Sequence, residues 1–302
     1  MSSDEKSSLI GTPRAELKIN ADLVYSLLTQ QHPDLIYLPI YLVDAGWDNV
    51  IFRLGDKFSV RLPRHQVAAK LIEHEQTWLP LRADRLPIPI PTPYRIGKPT
   101  QNYPWRWSVL PWLAGVTADQ EEPHANQAKL FIRILRSLHL PAPLNAPKNA
   151  VRGVPLSQRA VSVEERLKRL ENKTNLITRK IRNIWHKALK APVDVRDKWL
   201  HGDLHPRNIL VKNGAIAGII DWGDITSGDI ATDLASIWML FSEQNIRQQA
   251  IAEYGNVSEA TRLRSLGWAI LFSVVLIDTG LVDNPRHKAI GERTLRHISE
   301  DE

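Results

Sequence analysis

One short run of residues constrains this chain more than any other feature. Residues 199–211 read WLHGDLHPRNILV, so an aspartate and an asparagine, Asp203 and Asn208, are five positions apart. In phosphoryl-transfer enzymes, an Asp and an Asn at this spacing accept the proton of the substrate hydroxyl and bind magnesium, respectively. The spacing therefore predicts that Asp203 is a catalytic base and that Asn208 is a metal ligand.

Two short β runs follow Asn208, over residues 209–211 and 215–220. They are joined through Asn213-Gly214, and Asn-Gly between apolar runs is the strongest short-range hairpin signal. Because a hairpin returns the chain to its starting end, we expect Asn208 and Asp221 to lie side by side. Two oxygen ligands beside a candidate base make a magnesium–phosphate site.

The same segment resembles the aminoglycoside phosphotransferase family, small-molecule kinases whose fold is similar to that of protein kinases. The family's His-Gly-Asp-x-x-x-x-Asn signature is matched by residues 201–208, its Ile-Asp-aromatic metal motif by residues 220–222, and its Gly-Asp-x-x-x-Asp-Leu-Ala continuation by residues 228–235. The resemblance covers about residues 40–290. It implies an α+β, bilobal protein-kinase-like fold. A small N-terminal antiparallel-sheet lobe (residues 1–109) would bind nucleotide, and a larger, mainly helical lobe (residues 110–302) would carry catalysis and substrate binding.

The resemblance also implies nucleotide-binding residues in the first lobe. A loop around Asn49 would cover the phosphates, and a plain β-hairpin without a ligand-binding role is the alternative. Arg61 takes the position where kinases carry a lysine for the α- and β-phosphates, and Glu75 is its expected partner; a surface ion pair of little energetic value is the alternative. Backbone groups near Leu110 and Trp112 would meet adenine at the hinge between the lobes.

His205 lies two residues after Asp203, where kinases often carry a lysine directed at the γ-phosphate. The resemblance therefore makes His205 a second catalytic candidate, and a structural, hydrogen-bonding histidine is the alternative.

Charge is distributed unevenly along the chain. The net charge is +6, but from His201 onward 14 acidic residues face nine Lys and Arg, so that part carries −5 and the first 200 residues +11. The acidic part suits a cationic acceptor, and its candidates for amine recognition are Asp278, Asp283 and Glu292, with exposed helix charges as the alternative. The basic stretch over residues 168–190 contains one aromatic residue. We therefore expect a solvated helix face and no nucleic-acid partner.

Apolar periodicity predicts the helices. They cover residues 21–31, 66–79, 126–138, 163–176, 177–189, 230–241, 259–271, 272–281 and 288–298. One continuous helix over residues 259–281 is the alternative to the seventh and eighth of these. Residues 43–54 read as a loop that enters a strand, and residues 58–62 read as the return strand of a β-hairpin. The long loop over residues 141–155 is expected over or beside the active cleft.

These observations predict an ATP-dependent O-phosphotransferase with Mg²⁺ as cofactor and GTP as an alternative donor. The acceptor would be a hydroxyl of a small molecule, an aminoglycoside-like antibiotic or an amino-alcohol metabolite. A kinase of a macrolide or another hydroxyl metabolite stays open, as does a nucleotide-binding pseudokinase with a regulatory role. A protein kinase is disfavoured, because no Asp-Phe-Gly and Ala-Pro-Glu pair brackets an activation segment.

The start of the chain shows no secretory signal and the sequence contains no cysteine. The longest apolar stretch, residues 269–277, has the length of a core helix. We expect a cytoplasmic monomer or homodimer without a membrane partner.

Overall fold

The computed structural model describes residues 13–302. The chain forms two compact units: the first runs up to Asp84 and resumes at Pro89–Ala114, and the second comprises Arg85–Ile88 and Gly115–Glu302. The first is built on a sheet and the second is mainly helical, as the predicted α+β, bilobal fold requires. Residues 110–114 belong to the first compact unit, whereas the functional boundary after residue 109 stays a prediction.

The first unit contains a five-stranded antiparallel sheet in the order β1-β2-β3-β5-β4. Its strands are β1 (Ile40–Ala45), β2 (Asn49–Leu54), β3 (Phe58–Pro63), β4 (Arg95–Gly97) and β5 (Trp107–Pro111). β2 and β3 form the predicted hairpin. The loop predicted from residue 43 is wrong in its first part, because β1 pairs with β2 up to Ala45. β1 exposes successive apolar side chains, so it lacks the alternation that marks a half-buried strand.

Among the described residues of this unit, two helices accompany the sheet, α1 (Ala21–Gln31) and α2 (Gln66–Trp78). Asn20 has an extended backbone conformation and directly precedes α1. Its Oδ1 accepts a hydrogen bond from the Leu23 N–H at 3.0 Å, so Asn20 caps the helix as predicted. His65 caps α2 in the same way, through Nδ1 and the Ala68 N–H at 3.3 Å. Buried residues of α1 and of the strands share one apolar core.

The second unit contains eight described α-helices and two small sheets. The helices are α3 (Ala128–Leu138), α4 (Ala160–Glu171), α5 (Arg179–Lys190), α6 (Ala231–Leu234), α7 (Ser236–Leu240), α8 (Gln244–Tyr254), α9 (Glu259–Gly280) and α10 (Pro285–Asp301). The strands are β6 (Val116–Thr117), β7 (Lys198–Leu200), β8 (Ile209–Lys212), β9 (Ala215–Ile219) and β10 (Thr226–Gly228). β6, β8 and β9 form one sheet, and β7 pairs with β10 in the other.

Several helix predictions need correction. Residues 230–241 form two short helices instead of one, and the hydroxyl of Ser236 bonds to the carbonyl of Asp233 near their junction at 2.5 Å. Such side-chain bonds to the backbone compete with the regular helical pattern. Of the two possibilities expected over residues 259–281, the structure has the continuous one, the single helix α9. Helix α8 was not predicted.

Within the described residues, α9 alone is long and apolar enough to cross a membrane, with 22 residues and a mean hydropathy of 1.5. In the folded unit, 78% of its apolar window is buried, and it packs against α10, α5, α6 and α4. A helix that is apolar on most faces is expected at the centre of a large folded domain. Packing therefore accounts for its composition.

Candidate functional site

The predicted hairpin brings Asn208 and Asp221 to the same end of β8 and β9. Ile209 lies opposite Ile219 in the antiparallel register, and the Ile220 N–H donates to the carbonyl of Asn208 at 2.9 Å. The connecting turn has positive φ at both of its central residues, as the favoured two-residue hairpin turn requires. The backbone contacts thus confirm the prediction that Asn208 and Asp221 lie side by side.

A buried aspartate shapes the loop that carries Asp203. The carboxylate of Asp233 accepts hydrogen bonds from the N–H groups of His201 and Gly202, at 2.7 and 2.9 Å. Gly202 has φ +87°, and a Cβ there would lie 2.6 Å from the carbonyl oxygen of Asp224. This position therefore requires glycine.

Two histidines fix the backbone around Asp203. Nδ1 of His201 accepts from the Asp203 N–H at 3.2 Å, and its Nε2 lies 3.0 Å from the carbonyl oxygen of Ile220. Nδ1 of His205 accepts from the Arg207 N–H at 3.2 Å, and its Nε2 lies 3.5 Å from Oδ2 of Asp203. Burial lowers the pKa of His205. Its contacts are those of a structural histidine, and its catalytic role stays a prediction.

Asn208 and Asp221 present the oxygen atoms that a hard cation prefers. Asn208 is buried, and its Nδ2 donates to the carbonyl of Asp203 at 2.9 Å, which orients the amide and leaves Oδ1 for another partner. Asp221 has φ 60° and ψ 64°, a left-handed conformation that is uncommon outside glycine and clusters at functional sites. The two residues fit magnesium by their chemistry, and metal binding stays a prediction.

The structure adds Arg152, which lies in the long loop predicted beside the cleft but was not selected from the sequence. Its Nη2 donates to Oδ1 of Asp203 at 2.6 Å, and its Nε lies 3.9 Å from Oδ2 of Asp224. Burial is the largest influence on Asp203 and opposes its ionisation, but the nearby Arg152 and the histidines His205, His201 and His287 together outweigh burial and hold the pKa of this carboxyl below its usual range. Burial raises the pKa of Asp224, whose Oδ1 accepts from Asn149 at 2.6 Å. The only sequence signal was an arginine in that loop.

The loop that carries Arg152 is attached to β10. The Ser227 N–H donates to the carbonyl of Pro147 at 2.9 Å, and the Asp229 N–H to that of Gly153 at 3.0 Å. A Cβ on Gly228 would lie 2.3 Å from the Gly153 oxygen, so the two segments touch through their backbones. This attachment determines the direction from which Arg152 approaches Asp203.

In the first unit, Arg61 and Glu75 form a buried ion pair. Nη1 and Oε2 are 2.5 Å apart, and the side chains are 5% and 0% exposed. The alternative of a surface pair is therefore wrong. In the amide orientation that satisfies both of its polar atoms, Asn49 accepts from Nη2 and Nε of Arg61 at 3.0 and 3.1 Å. The nucleotide-binding roles of the three residues stay predictions.

Leu110 and Trp112 lie at and just beyond the end of β5. Leu110 is buried and pairs in register with Ser59 of β3. The N–H of Trp112 donates to the carbonyl of Lys57 at 2.8 Å, and the guanidinium of Arg53 lies 3.9 Å from the centroid of its ring. The Trp112 N–H is therefore used within the first unit, and the contact of these residues with adenine stays a prediction.

Two of the acids considered for amine recognition are already paired with cations. Asp278 is buried on α9 and lies 2.5 Å from Arg169 and 3.6 Å from Arg166. Glu292 lies 2.9 Å from Lys288. Because protein side chains already balance these carboxylates, they give little support to a cationic acceptor.

The fold is shared with solved structures of small-molecule phosphotransferases. The GDP and kanamycin complex of APH(2")-IIia matches with a TM-score of 0.68 at 19% identity, over 92% of this chain and 99% of that one. Macrolide 2'-phosphotransferase type I matches with a TM-score of 0.60 at 20% identity, over 92% and 98%. These similarities confirm the predicted kinase-like fold class.

Sequence comparison identifies a relative of this chain and the family to which the chain belongs. The uncharacterized protein YcbJ of Bacillus subtilis (strain 168) is 25% identical over 133 residues, which is 42% of this chain and 42% of that relative's length, so less than half of the relative is matched. The sequence profile of the phosphotransferase enzyme family matches residues 40–266, which is most of the 302 residues. The chain therefore belongs to the phosphotransferase enzyme family, as its resemblance to aminoglycoside phosphotransferases predicted.

Proposed function

We propose that this phosphotransferase moves the γ-phosphoryl group of ATP to a hydroxyl group of a small molecule. The observation that carries the proposal is the grouping of Asp203, Asn208 and Asp221 in the second unit, joined by the hairpin and by the 2.9 Å bond from Asn208 to Asp203. The ionised carboxylate of Asp203 accepts the proton of the acceptor hydroxyl as the hydroxyl oxygen bonds to the γ-phosphorus. The bond between the γ-phosphorus and the bridging oxygen of the β-phosphate breaks, and ADP leaves. Since phosphoryl transfer passes through a loose transition state, orientation of the hydroxyl contributes more than basicity.

The remaining residues of the site support this role. Arg152 favours the ionised form of Asp203, and His201 and Asp233 hold the backbone of its loop. Asn208 and Asp221 would hold magnesium, which when bound neutralises charge on phosphate oxygens. A solved neighbour is a GDP complex, so GTP is the second candidate donor.

We also propose the chemical class of the acceptor. Neighbours whose names include kanamycin and macrolide support a small hydroxylated acceptor, and the sequence favoured an aminoglycoside-like antibiotic or an amino-alcohol. A pseudokinase with a regulatory role is the alternative, and it would bind nucleotide without turnover. A cytoplasmic location, and a monomeric or homodimeric state, stay predictions.

Nucleotide binding and turnover test the proposal together. The melting temperature of the protein is measured at increasing concentrations of MgATP and of MgGTP. Turnover is measured as release of ADP or GDP in the presence of each compound in a panel of hydroxylated acceptors. A ligand that binds the native state raises its melting temperature in a concentration-dependent way. We expect this rise in the wild type and in Asp203→Asn, but not in Asp221→Ala. Asp203→Asn is expected to lose turnover by about 10²–10⁴-fold.

Glu253→Gln, which changes an exposed carboxylate of the same unit, is the matched control and is expected to behave as the wild type. Absence of any response to both nucleotides would contradict the proposal. Binding without release of ADP or GDP across the whole panel would favour the pseudokinase.

A further inference from the structure

An arginine cluster lies beside the candidate base. Its members are Arg152, Arg159, Arg166 and Arg169. Arg152 contacts Asp203 and also lies over the ring of Phe272 on α9, with its guanidinium carbon 4.9 Å from the ring centroid. Arg159 is the residue immediately before α4, and Arg166 lies seven residues further on, in the middle of that helix. Seven residues are about two helical turns, and the charge of Arg166 acts on Arg159.

Three members of this cluster have carboxylate partners. Arg152 pairs with Asp203, whereas Arg166 and Arg169 share Asp278. Arg159 differs. Among residues 13–302, no carboxylate lies within ion-pair distance of its guanidinium, and its Nε is buried without a hydrogen-bond partner.

The surroundings of Arg159 make this lack of a counter-charge unfavourable. Burial lowers the pKa of Arg159, and the nearby charges of Arg152 and Arg166 lower it further. A partly buried guanidinium with cationic neighbours is stabilised when an anion joins it. The planar guanidinium matches carboxylate and phosphate oxygens, which it can bind with two parallel hydrogen bonds.

Building on the proposed phosphotransferase function, we propose that the acceptor is a hydroxylated compound with an anionic oxygen group, a carboxylate or a phosphate, that Arg159 binds. Arg152 is the neighbour of both Arg159 and Asp203, so the anionic group and the reacting hydroxyl belong to one molecule that lies along the cluster. A polycationic aminoglycoside would instead meet like charge here, which disfavours its binding.

Matched acceptor pairs test the charge of the acceptor. Glycerate is compared with glycerol, pantothenate with pantothenol, and gluconate with glucitol, each with MgATP and ADP release as the readout. Glycerol phosphate distinguishes a phosphate from a carboxylate, and kanamycin and choline represent cationic acceptors. We expect the acidic member of a pair to be preferred by about 10- to 100-fold in kcat/KM, the usual effect of a hydrogen-bonded charge.

Variants at Arg159 connect this preference to the cluster. Arg159→Gln is expected to reduce kcat/KM for the acidic member of a pair by the same factor. The kcat/KM for the neutral member and the affinity for MgATP should stay unchanged. Arg159→Lys should keep part of the preference. Lys168→Gln removes an exposed cation from the same helix and serves as the control, with no change for either member.

An anion-binding measurement keeps the proposal testable if no compound on the panel is phosphorylated. Glycerate and inorganic phosphate at constant ionic strength should raise the melting temperature of the wild type and not that of Arg159→Gln. The proposal is overturned if neutral or cationic acceptors are preferred, or if Arg159→Gln weakens MgATP binding instead. It is also overturned if no acidic compound on the panel is phosphorylated and neither anion raises the melting temperature of the wild type. Failure of the general function would appear separately, as absence of any nucleotide response.

Discussion

Arg152 and Asp203 are 51 residues apart in the sequence and 2.6 Å apart in the structure. The arginine donates to one carboxylate oxygen, and Nε2 of His205 lies 3.5 Å from the other. A residue outside every recognised motif thus contacts the candidate base directly. This contact makes the loop over residues 141–155 part of the surroundings of the candidate base.

Arg152→Gln is expected to lower kcat by about 10- to 100-fold, because the base loses a charged hydrogen bond that orients it. Arg152→Lys should retain part of the activity, since it keeps the charge but not the planar donor geometry. The measurement is kcat with the acceptor that the panel identifies, together with the Kd for MgATP, which should stay close to the wild-type value. Equal losses of kcat in Arg152→Gln and in an exposed control, Lys212→Gln, would contradict a specific role.

Arg61→Gln is expected to reduce the free energy of unfolding by about 3–5 kcal/mol, because it leaves the buried charge of Glu75 without its partner. The double variant Arg61→Gln/Glu75→Gln should recover part of this loss, since it removes both charges. Urea unfolding of the wild type, the two single variants and the double variant measures the coupling. Additive single effects would show that the pair contributes no interaction energy.

Asp229→Asn tests a second buried ion pair, in which Arg264 contacts both carboxylate oxygens at 2.6 and 3.1 Å. The side chains are 1% and 3% exposed, so we expect a loss of about 3–5 kcal/mol in the free energy of unfolding. Glu259→Gln removes the partner of Arg262 at the surface and should cost less than about 1 kcal/mol. Similar losses in both variants, measured by chemical unfolding, would contradict the role of burial.

His287 should make the protein less stable in acid. Burial, with Arg207 and His205, lowers the pKa of His287 to about 4, and its Nε2 lies 2.7 Å from Nη1 of Arg207, a contact that suits a neutral ring. In the unfolded chain the pKa is about 6.5, so between pH 6.5 and 4 the unfolded state binds more protons. Stability contributed by neutral His287 is therefore present above about pH 6.5 and falls as the pH decreases through this window.

We expect His287→Gln to flatten the dependence of unfolding free energy on pH between about 4.5 and 7. Urea unfolding at a series of pH values measures the slope, and His124→Gln, at an exposed histidine, is the control. An unchanged slope in His287→Gln would mean that other groups determine the acid sensitivity.

The sequence alone determined the features that depend on neighbours a few residues away. The hairpin after Asn208 follows from Asn213-Gly214 between two apolar runs, and α1 begins where the Asn20 side chain can reach a helix N–H. The candidate catalytic motif could be recognised because its residues lie within one loop and one hairpin. Such interactions require no knowledge of the rest of the chain.

Only the tertiary structure decided which distant groups meet. The sequence suggested the partnership of Arg61 with Glu75, but packing decided that it is buried. Packing likewise brought Arg152 to Asp203 and left Arg159 without a counter-charge among the residues that the structure describes. These relationships depend on how helices and loops pack over tens of residues, and local pattern carries no information about that packing. The motif therefore indicated the chemistry, whereas the fold determined the charge that surrounds it.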